Sequence, residues 1–237
     1  MRQRSRRPDV SIVVPARNEA ATIERALGSV LEQAWPLERL EVVVVDNGST
    51  DGTATVVRRF AAAHPELRIR LVREARPGVS WARNRGARVA RGRALLFLDA
   101  DSRLAPTLVP AVVAHLHRGE AAVSLRVVAD SNDPLDRAFF FLATWAKERV
   151  RVPTQLCAVR HDAFRAVGGF DERLRVAEDY DLLRRIRAAG YRVGFVTESA
   201  VLTSTRRLHR WPLRLGLLVT AVHWLLALAG IGRDWPY

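Results

Sequence analysis

The chain has 237 residues, 49% of them hydrophobic and 27% charged, a balance that excludes wholesale disorder and suits one large domain or two small ones. Its 38 basic residues outnumber 25 acidic ones for a formal charge of +13, and Lys147 is the only lysine. Arginine usage this one-sided looks more like a coding bias than a phosphate-binding surface; the net charge suits anionic partners in general, duplex, diphosphate or membrane, and no helix-turn-helix, RRM or zinc spacing supports nucleic acid.

In chain order, residues 1–8 read as a basic flexible arm, and the apolar run behind it, Val10–Val14, is too short for a signal-peptide core. Three continuous apolar runs, Val10–Val14, Glu41–Val45 and Ala94–Leu98, are expected of strands buried on both faces of a parallel sheet. Between the first two, Ile23, Leu27, Val30 and Leu31 form one helical stripe. Thr53–His64 and Trp81–Ala90 read as further helices, with a strand at Ile69–Val72. Strand and helix alternate, so the expected class is α/β, a doubly wound and mostly parallel sheet flanked by helices.

The second half is less regular. It reads as a strand at Ala121–Val128, a mostly apolar helix at Leu135–Val150, a turn at Gly168–Asp171, a helix at Glu178–Ala189 ended by Gly190, and a strand at Arg192–Val196. His115 and His117 sit on a helix surface without zinc spacing, so they read as solvated or packed side chains. With no convincing linker, one domain is expected. Cys157, the single cysteine, cannot form an intrachain disulfide, and a reducing cytoplasm is the expected location.

Leu215–Ile231 carries no formal charge, but it is short for a membrane span and bears a weakly polar stripe of Gly216, Thr220, His223, Ala227 and Gly230. It reads as a C-terminal apolar helix lying in a membrane interface, packed against the domain or a second copy, or, at the bottom of the length range, spanning the membrane. Arg206, Arg207, Arg210 and Arg214 ahead of it suit anionic head groups, which would place the protein peripherally at the inner face of the membrane.

The chemistry gathers at the strand ends. The first run leads into Pro15-Ala16-Arg17-Asn18-Glu19, the second into Asp46-Asn47-Gly48-Ser49, the third into Asp99-Ala100-Asp101. In open α/β sheets the ligand crevice lies outside these carboxyl ends. There is no GxxxxGK[ST] and no GxGxxG after the first strand, so neither a P-loop nor a dinucleotide site is supported. Two carboxylates at the end of a buried strand need compensation. A hard cation such as Mg2+ or Mn2+ supplies it and keeps positions free for a diphosphate.

Taken in order and spacing, VSIVVPARNEAATIERALGSVLEQ, EVVVVDNGSTDGT, GVSWARNRGARVARGRALLFLDADS and GGFDERLRVAEDYDLLRRI resemble glycosyltransferase family 2 over roughly residues 9–200. The resemblance implies a Rossmann-like GT-A domain at 9–205, with a nucleotide-sugar-binding half at 9–103, an acceptor half at 104–205 and the basic, apolar segment 206–237 behind it. It implies metal-dependent transfer, with inversion, from a UDP-, GDP- or dTDP-sugar to an acceptor hydroxyl. Carried over by position, Pro15, Arg17 and Glu19 would line the nucleotide, Asp46 would accept from the base, and Arg83 would face the nucleotide. Asp99 would touch the ribose or sugar, and Asp101 would bind the metal. Asn47 stands where many relatives carry a second aspartate.

Inverting displacement needs a base for the acceptor hydroxyl, and the resemblance points to Asp179 in Glu178-Asp179-Tyr180-Asp181, with Glu178 orienting its neighbours. Arg207-Leu208-His209-Arg210-Trp211 is similar to the Q/RxxRW of polymerising members, which would put Arg207 and Arg210 near diphosphate and Trp211 on acceptor sugar. The apolar tail and the Phe139–Trp145 stretch suggest a lipid-linked acceptor. The alternative is a non-catalytic nucleotide-sugar-binding or scaffolding protein of the same fold, which would have no chemical need for both Asp101 and Asp179.

Overall fold

The computed structural model describes residues 7–150, 156–174, 176–206 and 209. Among the described residues eight strands form one sheet: β1 Val10–Ala16, β2 Leu40–Asp46, β3 Arg68–Arg73, β4 Ala94–Phe97, β5 Ser102–Leu104, β6 Ala122–Ala129, β7 Cys157–Arg160 and β8 Val193–Thr203. Seven α-helices are described around it: α1 Ile23–Leu31, α2 Thr53–Ala63, α3 Val79–Val89, α4 Leu108–His117, α5 Pro134–Val150, α6 His161–Ala166 and α7 Glu178–Ala188. The strand order is β3-β2-β1-β4-β7-β6-β8-β5.

The unbroken apolar runs have a two-sided cause. In β1, β2 and β4, Ile12, Val14, Val42, Val44 and Leu96 join one core with α1, α2 and α4. Their alternates Val13, Val43, Val45, Leu95 and Phe97 join a second core with α3, α6 and α7. Because successive strand residues point to opposite faces, burial on both faces requires every position to be apolar. On the second face α3 presses close to β1 at Gly86, where a Cβ would come within 2.3 Å of Val13 Cγ1.

β1 pairs in parallel with β2 and with β4, and β2 in parallel with β3. β7 enters antiparallel between β4 and β6, β6 and β8 are parallel, and β5 closes the edge antiparallel to β8. The sheet is therefore mostly parallel but mixed in its second half. β5 and β7, of three and four residues, are too short to show a period and were invisible in the sequence pattern. β8 runs to Thr203, well beyond the expected Val196, because it changes register against β6 between Leu125 and Arg126 and continues alongside β5.

Among the described residues no helix is long and apolar enough to cross a membrane. The expected C-terminal apolar helix, most of the N-terminal arm, and Arg207, Arg210 and Trp211 lie outside the described residues.

Candidate active site

Strand order reverses beside β1: β2 and β3 stack on one side and β4 on the other. Such a reversal opens a crevice above the carboxyl ends of the two central strands. Pro15 lies half-buried near the end of β1, with Arg17 exposed just beyond it, and Asp99 and Asp101 follow β4.

The loops leaving β1 and β2 are tied together into one wall. The backbone N–H of Asn18 donates to Ser49 Oγ at 3.1 Å, and Thr50 N donates to Asn18 Oδ1 at 2.8 Å. Glu19 N donates to Thr53 Oγ1 at 2.9 Å, and Ala20 N to Asp51 Oδ2 at 3.1 Å. Asp46 stabilises its own turn by accepting from Ser49 N at 2.9 Å, with Gly48 following at φ 73°.

Asn47 has a structural task that its type explains. Its buried amide donates to the carbonyls of Glu74 (3.0 Å) and Arg76 (2.7 Å), and its Oδ1 accepts from Gly78 N (2.9 Å). An aspartate could make only the last of these and would set a charge against two carbonyl oxygens. Asn47 therefore fastens the segment after β3 and the start of α3 to the crevice wall.

At the floor, Arg83 of α3 is 3% exposed and gathers three carboxylates. Its Nη1 donates to Glu178 Oε1 at 2.6 Å and to Asp179 Oδ1 at 2.8 Å, and its Nη2 donates to Asp99 Oδ1 at 3.0 Å. Burial alone would weaken the guanidinium's hold on its proton, but Asp179, Asp99 and Glu178 offset this and raise its pKa. Its carbon lies 5.4 Å from the Phe170 ring centroid. Arg83 thereby engages Asp99, which the resemblance assigns to sugar contact, and Asp179, which it assigns to catalysis, together with Glu178.

Glu178 and Asp179 open α7, where acidic side chains also suit the positive end of the helix dipole. The turn before α7 is fixed by Asn84, which donates to Phe170 O at 2.9 Å and accepts from Phe170 N at 3.0 Å. Gly169 (φ 77°) is needed there, since a Cβ would come within 2.7 Å of Asn84 Oδ1. Asp51, Thr53 and Asn84, which neither the strand-end clusters nor the resemblance single out, also shape the site; their signal is a polar side chain in a loop after a strand or on an early turn of a helix.

Asp101 faces elsewhere. Arg206, three residues past β8, donates through Nη2 to Glu19 Oε1 and Oε2, both at 2.9 Å, and to Asp101 Oδ2 at 3.3 Å. The structure thus gathers five of the acidic candidates around two arginines, Arg83 with Asp99, Glu178 and Asp179, and Arg206 with Glu19 and Asp101. Among the described residues no group of three or more His, Cys, Asp or Glu side chains converges to hold a metal. His115 proves packed rather than solvated, bridging Glu120 (2.6 Å) and Glu198 (2.9 Å), and His117 is exposed.

Residues 11–168, two thirds of the chain, match the family model described as Glycosyl transferase family 2. The chain belongs to glycosyltransferase family 2. It is 43% identical over 94 residues to "Glycosyltransferase AglE" of Haloferax volcanii, covering 40% of this chain and 31% of the relative. Among solved structures it resembles a mannosyltransferase of Pyrobaculum calidifontis in complex with GDP-Man and Mn2+, with TM-score 0.70, 31% identity, and coverage of 92% of this chain and 65% of that one. TarS of S. aureus in complex with UDP shares the fold at TM-score 0.65 and 21% identity, covering 82% of this chain and 60% of that one. The chain spans between a quarter and a half of the length of the first four curated relatives it matches. Family membership and the neighbours together establish the GT-A fold for this family 2 chain.

Proposed function

We propose that this family 2 chain transfers a sugar from a nucleoside-diphosphate sugar to an acceptor hydroxyl with inversion at the anomeric carbon. The observation that carries the reading is the meeting of Asp99 with Glu178 and Asp179 on one buried arginine, at the carboxyl-end crevice beside β1 and β4. The Pyrobaculum enzyme's complex with GDP-Man and the TarS complex with UDP support a nucleoside-diphosphate donor.

In this reading the β1 and β2 loop wall, with Pro15, Arg17 and Asp46, receives the nucleoside. Asp99 contacts the ribose or the sugar. Asp179 takes the proton from the acceptor oxygen as that oxygen attacks the anomeric carbon and the bond to the diphosphate breaks. Arg83 and Glu178 hold the Asp179 carboxylate in place; such fixed geometry lowers the entropy lost on reaching the transition state. Asp101 offers a hard carboxylate oxygen that already faces a cation, the Arg206 guanidinium, and one carboxylate with phosphate oxygens and water is a common Mg2+ shell. Bound there, the ion would stabilise charge on the departing diphosphate.

For the acceptor, Leu135, Phe141, Leu142 and Trp145 of α5 are exposed, which supports a lipid-linked or otherwise hydrophobic substrate met peripherally at the inner membrane face. Activity is tested by nucleotide release from UDP-, GDP- and dTDP-sugars with Mn2+, Mg2+ or EDTA. Release from one donor class, lost in EDTA, is expected. No release with any donor, together with no donor-dependent thermal shift, would overturn the reading in favour of a scaffold.

A further inference from the structure

Topology brings the start of the C-terminal segment to the metal carboxylate. β5 begins directly after Asp101 and pairs antiparallel with β8, with Ser102 opposite Thr203. In an antiparallel pair, the residue before one strand lies beside the residues after its partner. Arg206 therefore emerges next to Asp101, and its backbone is held there: Arg206 N donates to Ser204 Oγ at 3.2 Å, and His209 N donates to Arg206 O at 3.2 Å. His209 is itself tied to the buried Asp136 of α5, Nε2 to Oδ2 at 2.9 Å.

From this anchored turn, one guanidinium nitrogen touches both oxygens of Glu19 and one of Asp101. Two carboxylates facing one crevice repel unless a cation lies between them. We propose that Arg206 is a guanidinium plug in the cation position between Glu19 and Asp101, which it holds before the donor binds and yields to a divalent cation more readily when a diphosphate accompanies that cation. The proposal rests on the reading of Asp101 as the metal carboxylate.

The charges explain the condition. A bare divalent cation approaching Asp101 meets a guanidinium already there and offers that guanidinium no new partner. A diphosphate arriving with the metal brings phosphate oxygens that the ion does not all take up, so Arg206 can leave Asp101 for one of them, a geometry arginine favours. The exchange is cheap because the Arg206 side chain is 53% exposed, and ion pairs at such exposure are weak and easily replaced. Its backbone need not move, because the turn and His209 fix the chain while the side chain swings. The plug would thus couple metal binding to donor binding, keeping the carboxylate pair compensated in the free protein.

The test is Mn2+ titration followed by the EPR signal of the free ion, on the full chain, with and without UDP or GDP. Arg206→Ala and Arg206→Gln should bind Mn2+ about fivefold more tightly than wild type without nucleotide, the scale expected for losing a part-exposed pair of contacts. Nucleotide should then add less affinity than in wild type. Arg206→Lys, which keeps a cation in place, should stay near wild type. Asp101→Asn should abolish the Mn2+ binding that nucleotide promotes. Unchanged or weaker Mn2+ binding in both neutral variants, with Asp101→Asn still abolishing it, would overturn the plug and leave the metal reading intact. Undiminished binding in Asp101→Asn would overturn both.

Discussion

Asp179 and Asn47 show how much depends on single atoms. Asn at position 179 keeps the oxygen that accepts from Arg83 Nη1 but cannot take a proton. Asp179→Asn is therefore expected to lower turnover 10²- to 10⁴-fold, the usual contribution of a positioned base, while calorimetric donor affinity stays within a few-fold of wild type. A large loss of donor affinity would place Asp179 in binding instead. Asn47→Asp removes both amide donations to Glu74 O and Arg76 O and sets a carboxylate against the two carbonyls. It should cost about 2 kcal/mol and lower the melting temperature by roughly 4–8 °C in a chain of this size. An unchanged melting curve would show that those contacts are dispensable. Cys157 is fully buried, and burial together with the charge on Asp179 raises its thiol pKa well above the ordinary value. It should not react with a thiol reagent at neutral pH until the protein is unfolded.

At the scale of elements, two glycines on helices should respond in opposite directions. Gly86 sits where α3 presses on β1, and an added Cβ would meet Val13 Cγ1 at 2.3 Å and Val45 Cγ2 at 3.1 Å. Gly86→Ala should destabilise by about 1–3 kcal/mol, since overlap with packed side chains outweighs the gain in helix propensity. Gly28 on α1 has nothing within 4 Å of its added Cβ, so Gly28→Ala should stabilise by roughly 0.5–1 kcal/mol. Chemical denaturation of the two variants measures both signs. Gly86→Ala should also reduce turnover, because Arg83 lies one helical turn before it and carries the carboxylate cluster. Stability equal to wild type in Gly86→Ala would mean that α3 is not seated against β1 as described.

For the whole molecule, the +13 charge and the exposed α5 side chains make a joint prediction. The protein should float with anionic vesicles at low salt and less at high salt, as screening shortens the reach of the arginines. Replacing Phe141, Leu142 and Trp145 together by serine should weaken flotation severalfold without changing donor affinity. Equal flotation of that variant would assign vesicle binding to charge or to another part of the chain.

The strands β1, β2 and β4 and the polar residues closing them were legible in the sequence because burial on both faces writes itself into consecutive residues. Helices α1 and α2 were legible for the same local reason, a stripe on one face. β5 and β7 were not, since Ser102–Leu104 and Cys157–Arg160 are not unbroken apolar runs, and they pair as strands on the edges that β8, β4 and β6 offer. Local pattern sufficed for the class of fold and for the acidic side chains that follow the strands. Which charges face each other followed from the tertiary packing. Arg83 is separated by 95 residues from Glu178 and by 96 from Asp179, and Arg206 by 187 from Glu19. Residue type and spacing record what a side chain can bind and whether its segment is buried. The partner it meets depends on strand order and register, which no local pattern encodes.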